Sequence, residues 1–278
     1  MKRLVRIAVL DMNAGQPNEG MRCIRSLVEG FLAGDDVDGV YKVFEVRVEK
    51  QLPEVAEYDI FICSGGPGSP KDQGEAWQKA FNTFLEEVKA HNTSEEYKKH
   101  LFLICHSFQL ACQHWQLAKI TKRRSMAFGV MPVHKTPQGK EEPLLKDLDD
   151  PFYAVDSREY QVVEVRQKRM KEFGAKVLCR EKERPKVPLE RAVMAIRFSD
   201  EIFGVQFHPE ADADGMHTHF QKKEKQQLII KHKGEEKFRE MLLHLRDEDK
   251  ISKTHGILIP QFLRNATDAI IQSKFVSA

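Results

Sequence analysis

The sequence has little net charge and no long apolar run. Its 44 lysine and arginine residues nearly balance 42 aspartate and glutamate residues, which leaves a net charge of +2 over 278 residues. Such a balance creates no field that attracts a polyanion, so we expect neither nucleic acid nor a membrane surface as a partner. The N-terminal apolar run stops at Asp11, and no stretch approaches the roughly 18 apolar residues of a membrane span. These absences predict a soluble, cytoplasmic protein.

Cysteines are few, and the common cofactor signatures are missing. The five cysteines form no CxxC pair; they are Cys23, Cys63, Cys105, Cys112 and Cys179. An odd and dispersed set argues for reduced thiols, against a disulfide framework and against a structural zinc site. Neither GxxxxGK[ST] nor GxGxxG occurs, and no internal repeat is present. We therefore expect no bound cofactor.

One short stretch is rich in potential metal ligands. Its candidates are His208, Glu210, Asp212, Asp214, His217 and His219. The spacing from Glu210 onwards mimics the start of a calcium-binding loop, but the twelfth position is Gln221, where a bidentate glutamate is needed. We predict no functional metal site here.

Apolar strand-like segments alternate with helical ones along the first three quarters of the chain. Residues 4–10, 40–48 and 59–63 have the pattern of strands, and residues 21–32 and 75–90 that of amphipathic helices. Residues 120–150 are expected to form short strands and loops. This alternation predicts an α/β fold with a doubly wound, mostly parallel sheet of the flavodoxin-like type, in which ligands bind at the carboxyl ends of the strands.

The composition changes after residue 211 to charged, helical sequence that begins with a histidine-containing loop. Apolar side chains return between Ile257 and Phe275 and must cover some surface. We predict one domain over residues 1–211 and a helical C-terminal extension over residues 212–278 that packs on it.

The stretch LFLICHSFQLAC, residues 101–112, changes from a strand pattern to a helix pattern at Cys105. A thiol at such a turn lies at a helix N-terminus, where the helix dipole favours the thiolate. The alternative, which holds for most lone cysteines, is a small buried hydrophobic residue.

Two other segments carry side chains or amides that suit the same chemistry. The loop GGPGSP, residues 65–70, is either a simple turn or a source of backbone N–H groups for an oxyanion. In FGVQFHPE, residues 203–210, Pro209 ends a strand and holds His208 in an extended conformation, with Glu210 within reach of its imidazole. Thiol, imidazole, carboxylate and amide donors are the parts of nucleophilic acyl transfer.

In this order, GGPGSP, FLICHSFQ and FGVQFHPE resemble the class I glutamine amidotransferase domain, the glutaminase half of enzymes such as GMP synthetase. The resemblance covers residues 4–211. It implies that Cys105 is the nucleophile, that His208 is the base and acid, and that Glu210 orients the imidazole.

The same resemblance assigns the remaining site residues and the substrate. Backbone N–H groups of Gly66 and His106 match the oxyanion hole, and Gln109 matches a position that contacts bound glutamine. The implied ligand is glutamine or another γ-glutamyl compound, and the implied partner is a separate synthetase chain that accepts ammonia.

Two departures from the family pattern lead to rival hypotheses. Leu103 and Ser107 replace the glycines of the usual Gly-x-Cys-x-Gly elbow, and Asp156-Ser157-Arg158 stands where many members have Ser-His. The first hypothesis is a glutamine amidotransferase-like glutaminase that releases or donates ammonia. The second is a free-standing γ-glutamyl peptidase, and the third is a non-catalytic regulatory or binding protein of the same fold.

Overall fold

A computed structural model describes residues 4–35, 37–71, 74–184, 189–221 and 223–276. Its strands form one sheet. They are β1 (Leu4–Asp11), β2 (Asp38–Glu45), β3 (Ile60–Cys63), β4 (His100–Ile104), β5 (Lys119–Lys135), β6 (Phe152–Val163), β7 (Lys176–Glu181), β8 (Val193–Arg197) and β9 (Ile202–Val205). The helices are α1 (Glu19–Leu32), α2 (Ala76–Ser94), α3 (His106–His114), α4 (Pro137–Lys140), α5 (Gln167–Phe173), α6 (Ala213–Gln221), α7 (Lys223–Lys233), α8 (Glu235–Leu245) and α9 (Lys253–Val276).

The strand order in the sheet is β2-β1-β3-β4-β9-β8-β7-β5-β6. The first five of these strands run parallel, and the pairings from β9 to β6 are antiparallel. The predicted doubly wound α/β fold is confirmed, with a mixed sheet in whose parallel half β4 lies between β3 and β9. The carboxyl end of β4 is where Cys105 lies.

Alternate residues of the parallel strands face opposite sides of the sheet, as the strand period requires. On β4, Phe102 and Ile104 pack with α1 and α9, whereas Leu101 and Leu103 pack with α2 and α3. All four side chains are fully buried. A strand that is covered on both faces is apolar at every position, which is why LFLI is a continuous apolar run.

Two segments differ from the sequence-based expectation. Residues 119–135 form one long strand, β5, where short strands and loops were expected; its register with β6 shifts between Lys122 and Ala127. The histidine-containing segment after residue 212 is helical, not a loop, because Asp212 accepts a hydrogen bond from the Gly215 N–H at 2.5 Å and starts α6. The charged, proline-containing stretch of residues 182–190 is typical of a solvated loop, and its residues 185–188 lie outside the described part.

The C-terminal helices contact the sheet in two places. Helices α6 to α8 form a hydrophobic cluster with Val130 of β5 and Val155 of β6. Helix α9 joins the core beneath the parallel strands, and the ring of Phe262 packs edge-on against Phe102 at 5.0 Å between centroids. Within the described ranges, no helix combines the length and the apolar character that a membrane crossing requires. The domain boundary at residues 211 and 212 remains a prediction.

Two glycines, one in β5 and one in α9, offer a matched stability test. Gly129 in β5 has φ +121°, and an added Cβ would lie 2.9 Å from the Met241 methyl group of α8. Gly256, in α9, has no atom within 4 Å of its hypothetical Cβ. We expect Gly129→Ala to destabilise the protein by about 1–3 kcal/mol, mainly through backbone strain. Gly256→Ala should stabilise it by about 0.5–1 kcal/mol, because alanine is the better helix former.

The measurement is the urea midpoint of each variant at an unchanged m-value. Equal midpoints for Gly129→Ala and the wild type would contradict the described backbone of β5.

Candidate active site

Cys105 lies at a sharp turn between β4 and α3. Its backbone has φ 48° and ψ −95°, a conformation that residues with a side chain rarely adopt. The turn is held on the strand side, because the Cys105 N–H donates to the Val205 carbonyl oxygen of β9 at 2.8 Å. The sulfur therefore lies at the first turn of α3 and lines a cleft at the carboxyl end of the sheet.

The two residues that replace the elbow glycines are accommodated without disrupting this turn. Leu103 pairs with Gly204 of β9, where an added Cβ would lie 3.4 Å from the Leu103 Cβ, so Gly204 leaves room beside the leucine. The Ser107 hydroxyl accepts from the Ile104 N–H at 2.9 Å and donates to a carbonyl oxygen, that of Cys63 or Ile104, each at 3.0 Å. Ser107 thus provides hydrogen bonds to the backbone of the turn.

His208 and Glu210 lie beside the thiol. The His208 N–H donates to the Val155 carbonyl oxygen of β6 at 2.8 Å, and this isolated bridge holds the histidine three residues beyond the end of β9. His208 Nδ1 donates to Glu210 Oε1 at 2.8 Å, since a carboxylate can only accept. The Glu210 side chain is 2% exposed, whereas that of His208 is 20% exposed and faces the cleft.

This arrangement favours the protonated imidazole. Burial acts to lower the pKa of His208, but the Glu210 carboxylate and the Cys105 sulfur, each of which also hydrogen-bonds the ring, outweigh it. The pKa of His208 is held well above its ordinary value. An imidazolium beside a thiol has the proton that a departing amine needs.

The glycine loop closes the cleft next to these side chains. A Cβ on Gly65 would lie 2.8 Å from His208 Cε1, and one on Gly66 would lie 2.4 Å from the Met12 carbonyl oxygen. Ser64 fixes the start of the loop, because its hydroxyl accepts from the Met12 N–H at 2.9 Å and donates to the Gly65 carbonyl oxygen at 2.8 Å. Only glycine fits at residues 65 and 66, and both line the cleft.

Arg47 supports the far side of this loop, a contact that no sequence pattern predicts. Its Nη1 donates to the Pro67 carbonyl oxygen at 2.6 Å, and its guanidinium lies 4.6 Å from the Trp77 ring centroid. The His106 ring lies 6.1 Å from Trp77. Burial and the charge of Arg47 lower the pKa of His106 to about 3, so this imidazole is neutral. The backbone N–H of His106, not its ring, remains the predicted oxyanion donor.

Gln109 is linked to the sulfur through a second glutamine. Gln109 Nε2 donates to the Tyr160 carbonyl oxygen at 3.1 Å and to Gln206 Oε1 at 2.9 Å. Gln206 Nε2 in turn approaches Cys105 Sγ at 3.6 Å. Both amide hydrogens of Gln109 are used, so its carbonyl oxygen is the group left to meet a ligand. Gln206 was not singled out from the sequence, although it lies two residues before His208 and would face the same way in an extended segment.

The departure at residues 156–158 is a buried ion-pair cluster. Arg158 Nε lies 3.0 Å from both carboxylate oxygens of Asp156, and Arg158 Nη2 lies 3.3 Å from Glu181. Burial acts to raise the pKa of Glu181, but Arg158 and Arg123 outweigh it and lower that pKa. The Arg158 side chain therefore bridges Asp156 and Glu181. The Ser157 carbonyl oxygen faces Cys105 Sγ at 3.9 Å.

The environments of the five cysteines predict selective alkylation. Burial raises the pKa of Cys23 to about 12 and raises those of Cys63, Cys112 and Cys179 as well. Cys105 has a helix N-terminus and an imidazole beside it. We expect iodoacetamide near neutral pH to modify Cys105 alone, as mapped by peptide mass spectrometry of the native protein.

Cys23 is the most demanding comparison, because it also lines the cleft. Labelling of Cys23 equal to that of Cys105 would contradict this prediction. Denatured protein, in which all five thiols react, is the control.

Comparisons with known proteins agree with this architecture. A crystal structure of a glutamine amidotransferase from Thermotoga maritima matches with a TM-score of 0.67 and 15% identity, covering 95% of this chain and 98% of that one. Another from Methylobacillus flagellatus matches with 0.61 and 16%, covering 98% and 96%. The CTPS glutaminase domain of Trypanosoma brucei with bound acivicin matches with 0.52 and 14%, covering 74% and 86%.

At these identities, the solved structures establish the fold alone. No curated protein sequence matches the chain. The family profile of glutamine amidotransferase class-I matches residues 37–257, which is most of the chain and includes the turn at Cys105 and the segment FGVQFHPE. The chain therefore belongs to the class I glutamine amidotransferase family.

Proposed function

We propose that this protein hydrolyses a γ-glutamyl amide through Cys105, His208 and Glu210, with glutamine as the first substrate to test. The observation that carries the proposal is the Glu210–His208 hydrogen bond of 2.8 Å beside a thiol at a helix N-terminus. In this proposal, Cys105 Sγ attacks the side-chain amide carbon. The backbone N–H groups of Gly66 and His106 hold the oxyanion that forms.

In the proposed reaction, His208 accepts and donates each proton that is transferred. The Cys105 thiol gives its proton to His208, and the thiolate attacks the amide carbon. The imidazolium passes that proton to the amide nitrogen, the C–N bond breaks, and ammonia leaves with a γ-glutamyl thioester on Cys105. His208, now neutral, takes a proton from water as the water attacks the thioester carbon. The C–S bond breaks, glutamate is released, and His208 returns the proton to the Cys105 sulfur, which regenerates the thiol. Glu210 holds Nδ1 protonated throughout, so that Nε2 exchanges the proton.

The direct test is the release of glutamate and ammonia from glutamine in equal amounts. Acivicin is bound in the Trypanosoma brucei glutaminase domain, so it is a suitable probe here. We expect it to protect Cys105 from iodoacetamide. Release of neither product from glutamine or from γ-glutamyl dipeptides would leave the third hypothesis, a non-catalytic protein of the same fold.

The cleft supports a second candidate, a free-standing γ-glutamyl peptidase. Its volume is about 1580 Å³, whereas pockets for small molecules usually measure about 300–1,000 Å³. Beyond the triad it has an apolar wall formed by Met126, Phe128, Met216 and Ile229. Ammonia as a leaving group needs no such wall, but an amino acid with an apolar side chain would bury surface against it.

The experiment compares kcat/KM for glutamine, γ-glutamylglycine and γ-glutamylleucine. A preference for γ-glutamylleucine would favour the peptidase. A preference for glutamine, with hydrolysis accelerated by an added synthetase chain, would favour the glutaminase and the proposed partner that accepts ammonia.

A further inference from the structure

The segment that carries Glu210 is held from outside the family motifs. His255, in the first turn of α9, hydrogen-bonds through Nδ1 to the Glu210 carbonyl oxygen at 2.9 Å. A carbonyl oxygen can only accept, so His255 Nδ1 carries the proton. Two residues beyond Glu210, Asp212 Oδ2 accepts from Arg22 Nη2 of α1 at 2.6 Å. Helices α1 and α9 thus fasten residues 210–212 on two sides.

The helix α9 is itself fixed to the strands that carry the site. Thr254 Oγ1 donates to the Tyr153 carbonyl oxygen of β6 at 2.6 Å, two residues before Val155, which accepts from the His208 N–H. Further along α9, Phe262 packs on Phe102 of β4, the strand that leads into Cys105. The position of His255 is therefore set by the same two strands that position the nucleophile and the imidazole.

Helix α1 closes against the carboxylate from the other side. A Cβ on Gly20, in the first turn of α1, would lie 3.0 Å from Glu210 Oε1. Glu210 Oε2 is buried and has no hydrogen-bond partner among the described residues. One oxygen alone is thus fixed by a hydrogen bond to a side chain, so the carboxylate depends on its backbone for its position. A hydrogen bond to the Glu210 carbonyl oxygen holds this backbone in place, and the carboxylate with it.

We propose that His255 is a positioning residue, which holds Glu210 beside His208 through the Glu210 backbone, and that Arg22 assists through Asp212. The proposal rests on the proposed function only for its effect on turnover. It assigns to the C-terminal helix a part in the geometry of the triad. Misplacement of a catalytic group by about 1 Å can cost about a hundredfold in rate.

The charged groups around the site define what a change in His255 should do. His208 is faced by Glu210 from its own segment and by Cys105 from the turn after β4, whereas Gly65 and Val155 bring no charge. Glu19 and Arg22 of α1 pair with each other at 2.8 Å, and Arg22 also pairs with Asp212. If Glu210 moves away, His208 loses a negative charge that raises its pKa, so its pKa must fall.

The test measures the pKa of His208 by NMR titration of its ring proton in the full chain without substrate. The variants are His255→Leu, which cannot donate, His255→Asn, whose side-chain N–H can replace Nδ1, and the exposed α9 control Arg264→Ala. We expect a lower His208 pKa and a roughly tenfold to hundredfold lower kcat, at little change in KM, for His255→Leu alone. A His208 pKa equal to that of the wild type in His255→Leu would overturn the proposal.

Arg22→Leu provides a second variant in case His255→Leu does not fold, because the Arg22 side chain is 49% exposed. It should lower the His208 pKa in the same direction by a smaller amount, and no shift would count against the proposal. The NMR readout needs no turnover. A wild type that hydrolyses no γ-glutamyl amide would therefore refute the proposed function, while the His208 titration would still decide the role of His255.

Discussion

Replacing Cys105 or His208 by alanine is expected to reduce hydrolysis of the active substrate by about 10⁴-fold or more. Cys105→Ala removes the only atom proposed to bond the substrate, and His208→Ala removes the proton donor for the departing amine. Because the two act as a unit, the double variant should be no slower than either single variant. Steady-state kcat measurements on purified, folded variants test this expectation.

Glu210→Gln is the matched control for this experiment, since it keeps the shape of the side chain and leaves the nucleophile in place. Its loss should be smaller, and the pKa of His208 should fall, because the negative charge that raises it is gone. The protonated imidazole would then be lost at a lower pH, and the alkaline side of the kcat profile should move to lower pH. Additive losses in the double variant would indicate that Cys105 and His208 do not share one mechanism.

Truncation after Ala211 is expected to prevent folding to a stable, soluble protein. Among the described residues, it removes five large buried apolar side chains of α9, which are Leu258, Ile259, Phe262, Leu263 and Ile270. At about 1.5–3 kcal/mol for each buried side chain, the loss is on the order of 10 kcal/mol. That is comparable to the whole stability of a typical domain, which is about 5–15 kcal/mol.

Single substitutions separate this packing effect from the loss of chain length. Phe262→Ala should lower the free energy of unfolding by about 3–5 kcal/mol. Arg264→Ala, at an exposed position of the same helix, should change it by less than about 0.5 kcal/mol. A soluble fragment of residues 1–211 with a cooperative unfolding transition would contradict the prediction, and would mean that the extension is a separate unit.

The local pattern of the chain was enough to predict the parallel half of the sheet. Residues 4–10, 59–63 and 101–104 are short apolar runs next to glycines or a helical period, and they became β1, β3 and β4 with small changes at their ends. In the antiparallel half, β5 was less accessible. The strand β5 is polar and interrupted by Gly129 and a register shift, so no alternation marked it, and its pairing with β6 and β7 is what stabilises it.

The sequence by itself determined which chemical groups are present and, through three motifs, the family to which the chain belongs. It determined the turn at Cys105, because the change of period there is local, and the reach of Glu210 to His208, because two residues separate them.

Only the tertiary structure decided what surrounds these groups. The Gln109–Gln206–Cys105 chain, the Arg47 support of the glycine loop and the His255 bond to Glu210 join residues that are distant along the chain. None of these contacts leaves a periodic or compositional trace, because a hydrogen bond between distant segments depends on how strands β4, β6 and β9 and helix α9 are brought together. The hydrophobic cores on the two faces of the sheet bring these elements together. Burial of apolar side chains is not directional, so the pattern of apolar residues does not predict which polar groups will meet.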